Sequence, residues 1–323
     1  MTPEPQATGS TAARVAAFVA ERRLLEPGQP VLALVSGGAD SMCLWGVMEE
    51  LGHSVAALHV DHGLRGEASR ADAAYCAERG AEVVAVDLAA GPNLEARARA
   101  ARYAQAHDRA AGRPIVTGHT LSDQAETVLY RLASSSGPRA VRAIRASAGG
   151  LVRPLLCLTA AETRAWCGAH AISPCRDATN DDQTIRRNLI RAEVIPALRR
   201  VHPGVEHNLA RSAELLGELD ELLGELAREH LADPVDLDRL SALPRALRMI
   251  VLREAAERAA GRPLRLPRAL SERLERLACR RTGHERLSLA RDLEAVRERS
   301  SLRFAAPAVR ATGAAPTGYP GAR

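Results

Sequence analysis

Apolar residues in the first 120 positions gather into four short runs: VLALV (31–35), VAALHV (55–60), EVVAVD (82–87) and PIVTG (114–118). Runs this short, rich in valine and bounded by turn residues, predict strands. Between them, ADSMCLWGVMEELG (39–52), EASRADAAYCAERG (67–80) and NLEARARAARYAQAHDRA (93–110) predict helices, the first two closed by Gly52 and Gly80. This alternation predicts an α/β fold, a doubly wound parallel sheet covered by helices on both faces. In such sheets ligands bind beyond the carboxyl ends of the strands.

From about residue 205 the strand signal fades. Residues 204–233 carry leucines at helical spacing and read as one long helix, followed by helices near 244–260 and 267–280. The short apolar stretches ERLSLA (285–290) and LRFAAPAV (302–309) come last. The prediction is an α/β domain over 11–205 and a smaller, mainly helical C-terminal domain over 206–310. Residues 1–10 and 311–323, poor in core formers, are expected to be disordered. No internal repeat is found.

Composition narrows the picture in three ways. No apolar run reaches membrane length, and MTPEPQATGS carries acid and proline where an export signal needs positive charge, so a cytoplasmic protein without a membrane segment is expected. The six cysteines are scattered without a Cys-x-x-Cys pair, which favours reduced thiols over disulfides or zinc. There is no lysine, so a Schiff base and a Walker-type phosphate loop are excluded. The net charge of +5 permits a nucleic-acid partner without requiring one.

The stretch SGGADS (36–41) joins the first strand to the following helix. Gly37 and Gly38 offer backbone freedom, the turn and helix N-terminus offer N–H groups, and Ser36 and Ser41 offer hydroxyls, all suited to an anion. Asp40 repels an anion. A bridging divalent cation, a role in charge handling, or simple capping of the helix would each account for it.

These six residues match the S-G-G-x-D-S pyrophosphate loop of the N-type ATP pyrophosphatases. The resemblance implies an adenine nucleotide alpha hydrolase-like fold, with ATP held by Ser36, Gly37, Gly38, Ala39, Asp40 and Ser41. It also implies adenylation of a substrate with release of pyrophosphate. Further stretches resemble one branch of that superfamily, the tRNA(Ile)-lysidine synthetases, over residues 31–210. LHVDHGLRGEASRADAAYC (58–76) is similar to the family's H-V-D-H-G-L-R segment, which implies that His62 lies on the adenosine side. Read alone, His59, Asp61 and His62 would also suit a metal. NLEARARAARY (93–103) puts Arg99 and Arg102 on one helical face, a solvated basic stripe when read alone. The resemblance implies that Arg99 meets lysine or the intermediate and that Arg102 meets tRNA.

TGHTLSDQAETVLYRL (117–132) resembles H-x-x-x-D-Q-x-E-T. Thr120 and Asp123 fit a helix capping box, while Asp123 and Glu126 share a helical face. The resemblance implies that Glu126 pairs with the substrate lysine and that Asp123 acts in catalysis or holds Mg2+ with Asp40. RDATNDDQTIRRNLIRAEVIPALRR (176–200) matches D-x-T-N…R-N-x-x-R-x-x-x-x-P-x-L. Asp177, Thr179 and Asn180 would form a tight turn, and Arg187, Asn188 and Arg191 are implied to contact tRNA. RPLL (153–156) also matches, but no chemical role follows from its residues, and TAAE (159–162) reads as a helix start. SSSGPRAVRAI (134–144) is similar to a family loop that is usually more basic. Seven arginines against two glutamates in 262–281 suit tRNA or a solvated face equally.

The resemblance thus implies an ATP-dependent ligase joining free L-lysine to C2 of the wobble cytidine in the CAU anticodon of tRNA(Ile), with AMP and diphosphate released. The decoded codon would change from AUG to AUA. A homodimer is compatible with this reading. Two alternatives are a tRNA thiolase of the same superfamily, against which the absence of paired cysteines counts, and a nucleotide-binding module without chemistry, in which Asp123 and Glu126 would be surplus.

Overall fold

The computed structural model describes residues 9–89, 91–134, 142–175, 186–280 and 284–307. The chain divides into two units, Met1–Gly217 and Glu218–Arg323. In the first unit, helix α1 (Thr11–Glu21) is capped by Ser10, whose hydroxyl accepts from the Ala13 amide at 3.2 Å. The chain then alternates as predicted: β1 (Val31–Leu34), α2 (Ala39–Glu50), β2 (Val55–Asp61), α3 (Glu67–Glu78), β3 (Glu82–Ala85), α4 (Leu94–Ala110), β4 (Ile115–Thr117) and α5 (Leu121–Ser134). Gly52 (φ +81°) and Gly80 (φ +91°) each come directly after the C-cap residue of a helix (Leu51 and Arg79) in the left-handed region, where glycine is the natural terminator.

Beyond α5 lie two short strands absent from the sequence reading, β5 (Ser147–Ala148) and β6 (Leu151–Val152). Gly149 and Gly150 join them, both at positive φ (+59° and +77°), the pairing that a two-residue hairpin turn needs. A 3₁₀ turn (Pro154–Cys157) and α6 (Ala160–Ala169) follow. Then come α7 (Arg186–Leu189), a π-helical turn (Ile190–Val194), α8 (Ile195–Val201) and α9 (Val205–Arg228). The sheet order is β3-β2-β1-β4-β6-β5, and every pairing is parallel except β5 with β6. The chain runs outwards from β1 to β3 on one side and returns as β4 on the other. The switch point therefore lies between β1 and β4, where a crevice opens beyond the strand ends.

Helix α2 packs at the centre of this unit, with Met42, Cys43, Leu44, Trp45, Val47 and Met48 all buried. Helix α6 lies against it at Gly46, where an added Cβ would sit 2.2 Å from the Trp166 ring. Helix propensity favours alanine over glycine by about 1 kcal/mol, but Trp166 is buried and stacked on His170 at 4.0 Å, so the ring has little room to retreat. Gly46→Ala is therefore expected to destabilise the protein by about 1–3 kcal/mol, measured as a lower midpoint of chemical denaturation. An unchanged or higher midpoint would show that the ring yields.

The second unit holds β7 (Val235–Asp236), α10 (Leu237–Ser241), α11 (Arg245–Ala260), α12 (Arg268–Cys279), β8 (His284–Ala290), β9 (Leu293–Glu298) and β10 (Ser301–Ala305). Helices supply most of its regular structure, as expected, but they are joined by an antiparallel sheet in the order β7-β10-β9-β8. Strand β9 escaped the sequence reading because an arginine occupies one of its inward positions after Leu293 and Ala295. Buried Arg297 donates to the carbonyls of Leu277 (2.6 Å) and Ala278 (3.1 Å), closing the last turn of α12. In the basic 262–281 region, Arg262, Arg268 and Arg280 are paired with Asp292, Glu272 and Glu285. Among the described residues no helix is long and apolar enough to cross a membrane. All six cysteines are unbridged. The termini expected to be disordered lie outside the described residues, except for Gly9 and Ser10.

Candidate active site

The loop after β1 runs from Val35 to the start of α2. Gly37 adopts φ +80°, and a Cβ there would lie 2.9 Å from Cys175 Sγ, so both backbone angle and space call for glycine. Gly38 does not share that requirement: its φ is −72° and a Cβ would make only ordinary contact. The loop is braced from within. The Ser36 amide donates to Ser41 Oγ (3.1 Å), and the Ser41 hydroxyl donates to the Gly38 carbonyl (2.9 Å). Ser36 itself is exposed. Opposite the loop, Gly118 follows β4, and a Cβ on it would fall 2.8 Å from the Asp40 carbonyl oxygen and 3.1 Å from the Ser41 nitrogen. That close approach is a direct consequence of β1 and β4 being neighbours.

Asp40 does not cap α2, since Gly38 holds that position without a side-chain bond. The Asp40 carboxylate instead accepts a hydrogen bond from Thr163, a fully buried residue of α6. Burial pushes the Asp40 carboxyl above its usual range, the Thr163 hydroxyl opposes this, and the nearby charge of Asp123 adds to it. Asp123 forms the predicted capping box, its Oδ2 accepting from the Thr120 amide (2.8 Å) and hydroxyl (2.9 Å). Its Oδ1 lies 3.8 Å from Arg191. Glu126 is 1 % exposed and is gripped in bidentate fashion by Arg191, at 2.6 and 3.1 Å. Burial raises the Glu126 carboxyl, and Arg191 works against that rise. Arg191 bridges residues assigned separately from sequence: in this state the partner of Glu126 is a guanidinium of the same chain.

Two cavities share Ser36, Asp40, Ser41 and Asp123. The narrower one, about 240 Å³, has an apolar wall of Leu34, Leu58 and Val60 with Arg102, Tyr103 and His119 alongside. The wider one, about 1030 Å³, is the more polar of the two and includes the charged Glu126, Arg164, Arg191 and Arg199. His119 Nδ1 lies 2.9 Å from Thr117 Oγ1, and burial lowers its pKa to about 4. The unfolded chain thus binds a proton on this residue between about pH 6.5 and 4 that the folded chain refuses. Its contribution is complete above pH 6.5 and is lost as the pH falls. Asp40 and Glu126, both raised, act in the opposite sense. His119→Gln is therefore expected to flatten the acid loss of stability by about 1–3 kcal/mol between pH 6.5 and 4, read from denaturation midpoints across that range. A slope identical to wild type would refute the assignment.

The remaining predicted residues are spread around this centre. Arg102 lines the narrow cavity. Arg99 is exposed, its guanidinium 5.3 Å from the Tyr103 ring centroid, and it lines neither cavity. His62 lines neither cavity, and both its ring nitrogens are buried with no hydrogen-bond partner among the described residues. His59 bonds the Val35 carbonyl (3.0 Å), and Asp61 accepts from the Gly63 amide (2.8 Å). Among the described residues no group of three His, Cys, Asp or Glu is placed to hold a metal, so the His59–Asp61–His62 cluster is not one. Arg187 donates to Thr127 Oγ1 (2.6 Å), and Asn188 is buried on the same helix. Asp177, Thr179 and Asn180 and most of 134–144 lie outside the described residues. TAAE does start a helix, with Thr159 and Glu162 forming a complete capping box. RPLL receives a structural account: buried Arg153 donates to the Arg145 carbonyl (2.7 Å) and ties the β5–β6 hairpin in place. Sequence reading missed Gly118, Thr163, Arg164 and the buried Ser122–Glu206 contact (2.6 Å), which depend on segments far apart in the chain.

A glycine-bearing loop at the switch point of a parallel sheet, with an apolar-walled cavity on one side and a polar one on the other, defines a nucleotide-binding domain of the pyrophosphate-loop class. The family model described as PP-loop domain matches residues 8–198, more than half of the chain. Among curated relatives, tRNA(Ile)-lysidine synthase of Symbiobacterium thermophilum is 43% identical over 68% of this chain and 50% of its own length. The enzyme of the same name from Geobacter sulfurreducens is 35% identical over 90% of this chain and 68% of its own. That from Gloeobacter violaceus is 40% identical over 71% of this chain and 77% of its own. The chain belongs to the tRNA(Ile)-lysidine synthase family, and spans from half to about three quarters of the length of these relatives.

Proposed function

We propose that this protein joins free L-lysine to C2 of the wobble cytidine of a CAU-anticodon tRNA(Ile), consuming ATP and releasing AMP and diphosphate. The observation that carries the reading is the pair of cavities meeting at Ser36, Asp40, Ser41 and Asp123. An adenosine suits the narrow, apolar-walled side, and the wide polar side suits an RNA base together with an amino acid. The α-phosphorus then lies at the junction. There the cytidine O2 attacks it and diphosphate departs towards the amides of the loop and the α2 N-terminus. The lysine amine next attacks C2, and AMP leaves with the former base oxygen. AMP is a far better leaving group than a ring carbonyl oxygen, which is why adenylation must precede ligation. An unpaired anticodon base can be read on its edges by the surrounding side chains.

Mg2+ fits what the two carboxylates offer. Asp40 commits one oxygen to Thr163 and Asp123 commits one to Thr120, leaving each a second oxygen. Burial raises the Asp40 carboxyl and the nearby charge of Asp123 adds to the rise, and a cation held there would offset both. A magnesium site commonly uses one or two carboxylates and completes its shell with phosphate oxygens and water. Bound there, the ion would neutralise charge developing on the diphosphate.

On the wide side, the substrate ammonium must exchange with Arg191 for access to Glu126. The displaced guanidinium would then be available to an RNA phosphate, which unites the roles assigned to the two residues. Arg187 would add a phosphate contact, Arg102 would reach the RNA from the narrow side that it lines, and Arg99 would approach the bound lysine.

The test supplies purified protein with ATP, Mg2+, radiolabelled lysine and a CAU-anticodon tRNA(Ile) transcript. Label in the tRNA, with AMP and diphosphate in equal amount, is the expected result. ADP and orthophosphate, or no label despite ATP consumption, would overturn the reading.

A further inference from the structure

Helix α6 stands 120 residues from the loop in sequence, yet it grips the first turns of α2 along one face. Three of its residues at helical spacing carry the contact. Trp166 fills the space left by Gly46, Cys167 Sγ donates to the Ala39 carbonyl (3.4 Å), and Thr163 Oγ1 donates to Asp40 Oδ1. The start of α6 is fixed in turn. Thr159 and Glu162 form its capping box, Glu162 is ion-paired with Arg14 of α1, and Arg14 donates to the Cys157 carbonyl (2.9 Å). Thr163 is 0 % exposed, so its hydroxyl cannot turn to water. Its one proton has two acceptors in reach, the Ala160 carbonyl (3.0 Å) and Asp40. The charged acceptor makes the stronger bond.

We propose that Thr163 is a positioning residue for Asp40: its hydroxyl, held on the α6 scaffold, fixes the carboxylate rotamer and decides which oxygen stays available to the reacting ATP and its cation. The inference rests on the role given to Asp40 under the proposed function. A side chain in the first turn of a helix has more than one staggered rotamer open to it, and in the one held by Thr163 Asp40 lines both cavities. Partners that orient a ligating group of this kind commonly matter as much as the group itself.

Thr163→Val keeps the shape of the side chain and removes the donor, whereas Thr163→Ser keeps the donor and removes a methyl group. For Thr163→Val, kcat is expected to fall about 10–100-fold, with KM for lysine and tRNA within about twofold. The Mg2+ concentration giving half-maximal ATP binding, measured by calorimetry without tRNA or turnover, rises in the same variant. Thr163→Ser should return both quantities to near wild type. A valine variant with unchanged kcat and Mg2+ dependence would overturn the proposal. So would a serine variant as impaired as valine, since that pattern belongs to packing. Asp40→Asn separates the two levels. If it is nearly as active as wild type, the role of Asp40 falls and that of Thr163 with it. If it is inactive while Thr163→Val is normal, only the positioning role falls. Combined with Asp40→Asn, the valine substitution should add no further loss.

Discussion

Asp123→Asn is expected to slow lysine incorporation about 10²–10³-fold while leaving the fold intact. Asp123 holds two positions at once, one structural and one electrostatic. Its Oδ2 closes the first turn of α5 through the Thr120 amide and hydroxyl, and an asparagine carbonyl oxygen can accept the same two bonds. What asparagine cannot supply is the negative charge beside Asp40 at the cavity junction. The substitution thus separates cap from charge in a way that alanine would not, since alanine would also unfasten the helix start at a cost of about 1 kcal/mol. The relevant measurements are the melting temperature, expected to stay within a few degrees of wild type, and the initial rate of label transfer. Near-normal transfer would show that the capping box is the whole role of Asp123, the bland alternative that the sequence already offered.

The parts of the site that were legible in the sequence are those encoded by neighbours in the chain. SGGADS announces a helix that starts at once, which is found, and a turn that uses the freedom of Gly37 and Gly38, which is found at Gly37 and not at Gly38. Thr120 and Asp123 announce a cap, also found. Legibility fails where two distant segments meet. Glu126 and Arg191 were each singled out, but as contacts for different substrates, and nothing in either stretch says that they form an ion pair across 65 positions. Thr163 looked like an ordinary helix residue behind its cap, because its partner is supplied by the packing of α6 on α2. In the second unit the obstacle was different. Strand β9 does alternate, but one of its inward positions is an arginine whose Nη1 donates to two helix carbonyls, so the apolar rhythm is broken where the fold is not. The β5–β6 hairpin carried a readable Gly-Gly signal, weakened only by strands of two residues each.

Gly118→Ala tests the other half of the site, its shape, without touching any charged group. The φ angle of Gly118 is not in the left-handed region, so alanine brings no backbone penalty there, and the whole effect is steric. The new methyl would lie 2.8 Å from the Asp40 carbonyl oxygen and 2.9 Å from its carbon. These are main-chain atoms at the start of α2, and they cannot rotate aside as a side chain would. Either β4 or the pyrophosphate loop must shift, by several tenths of an ångström or more. The loop is the softer of the two, because β4 is locked between β1 and β6 by its ladder bonds. Overpacking of this type costs about 1–3 kcal/mol of stability. The kinetic cost is larger, since displacement of reacting groups by about 1 Å loses on the order of 10²-fold in rate. Gly118→Ala should therefore remain folded, with a weakened ATP dissociation constant and a kcat/KM for ATP reduced by about two orders of magnitude. If ATP affinity and turnover both match wild type, the strand end rather than the loop has given way. The close approach of Gly118 to Asp40 would then have no part in holding the nucleotide.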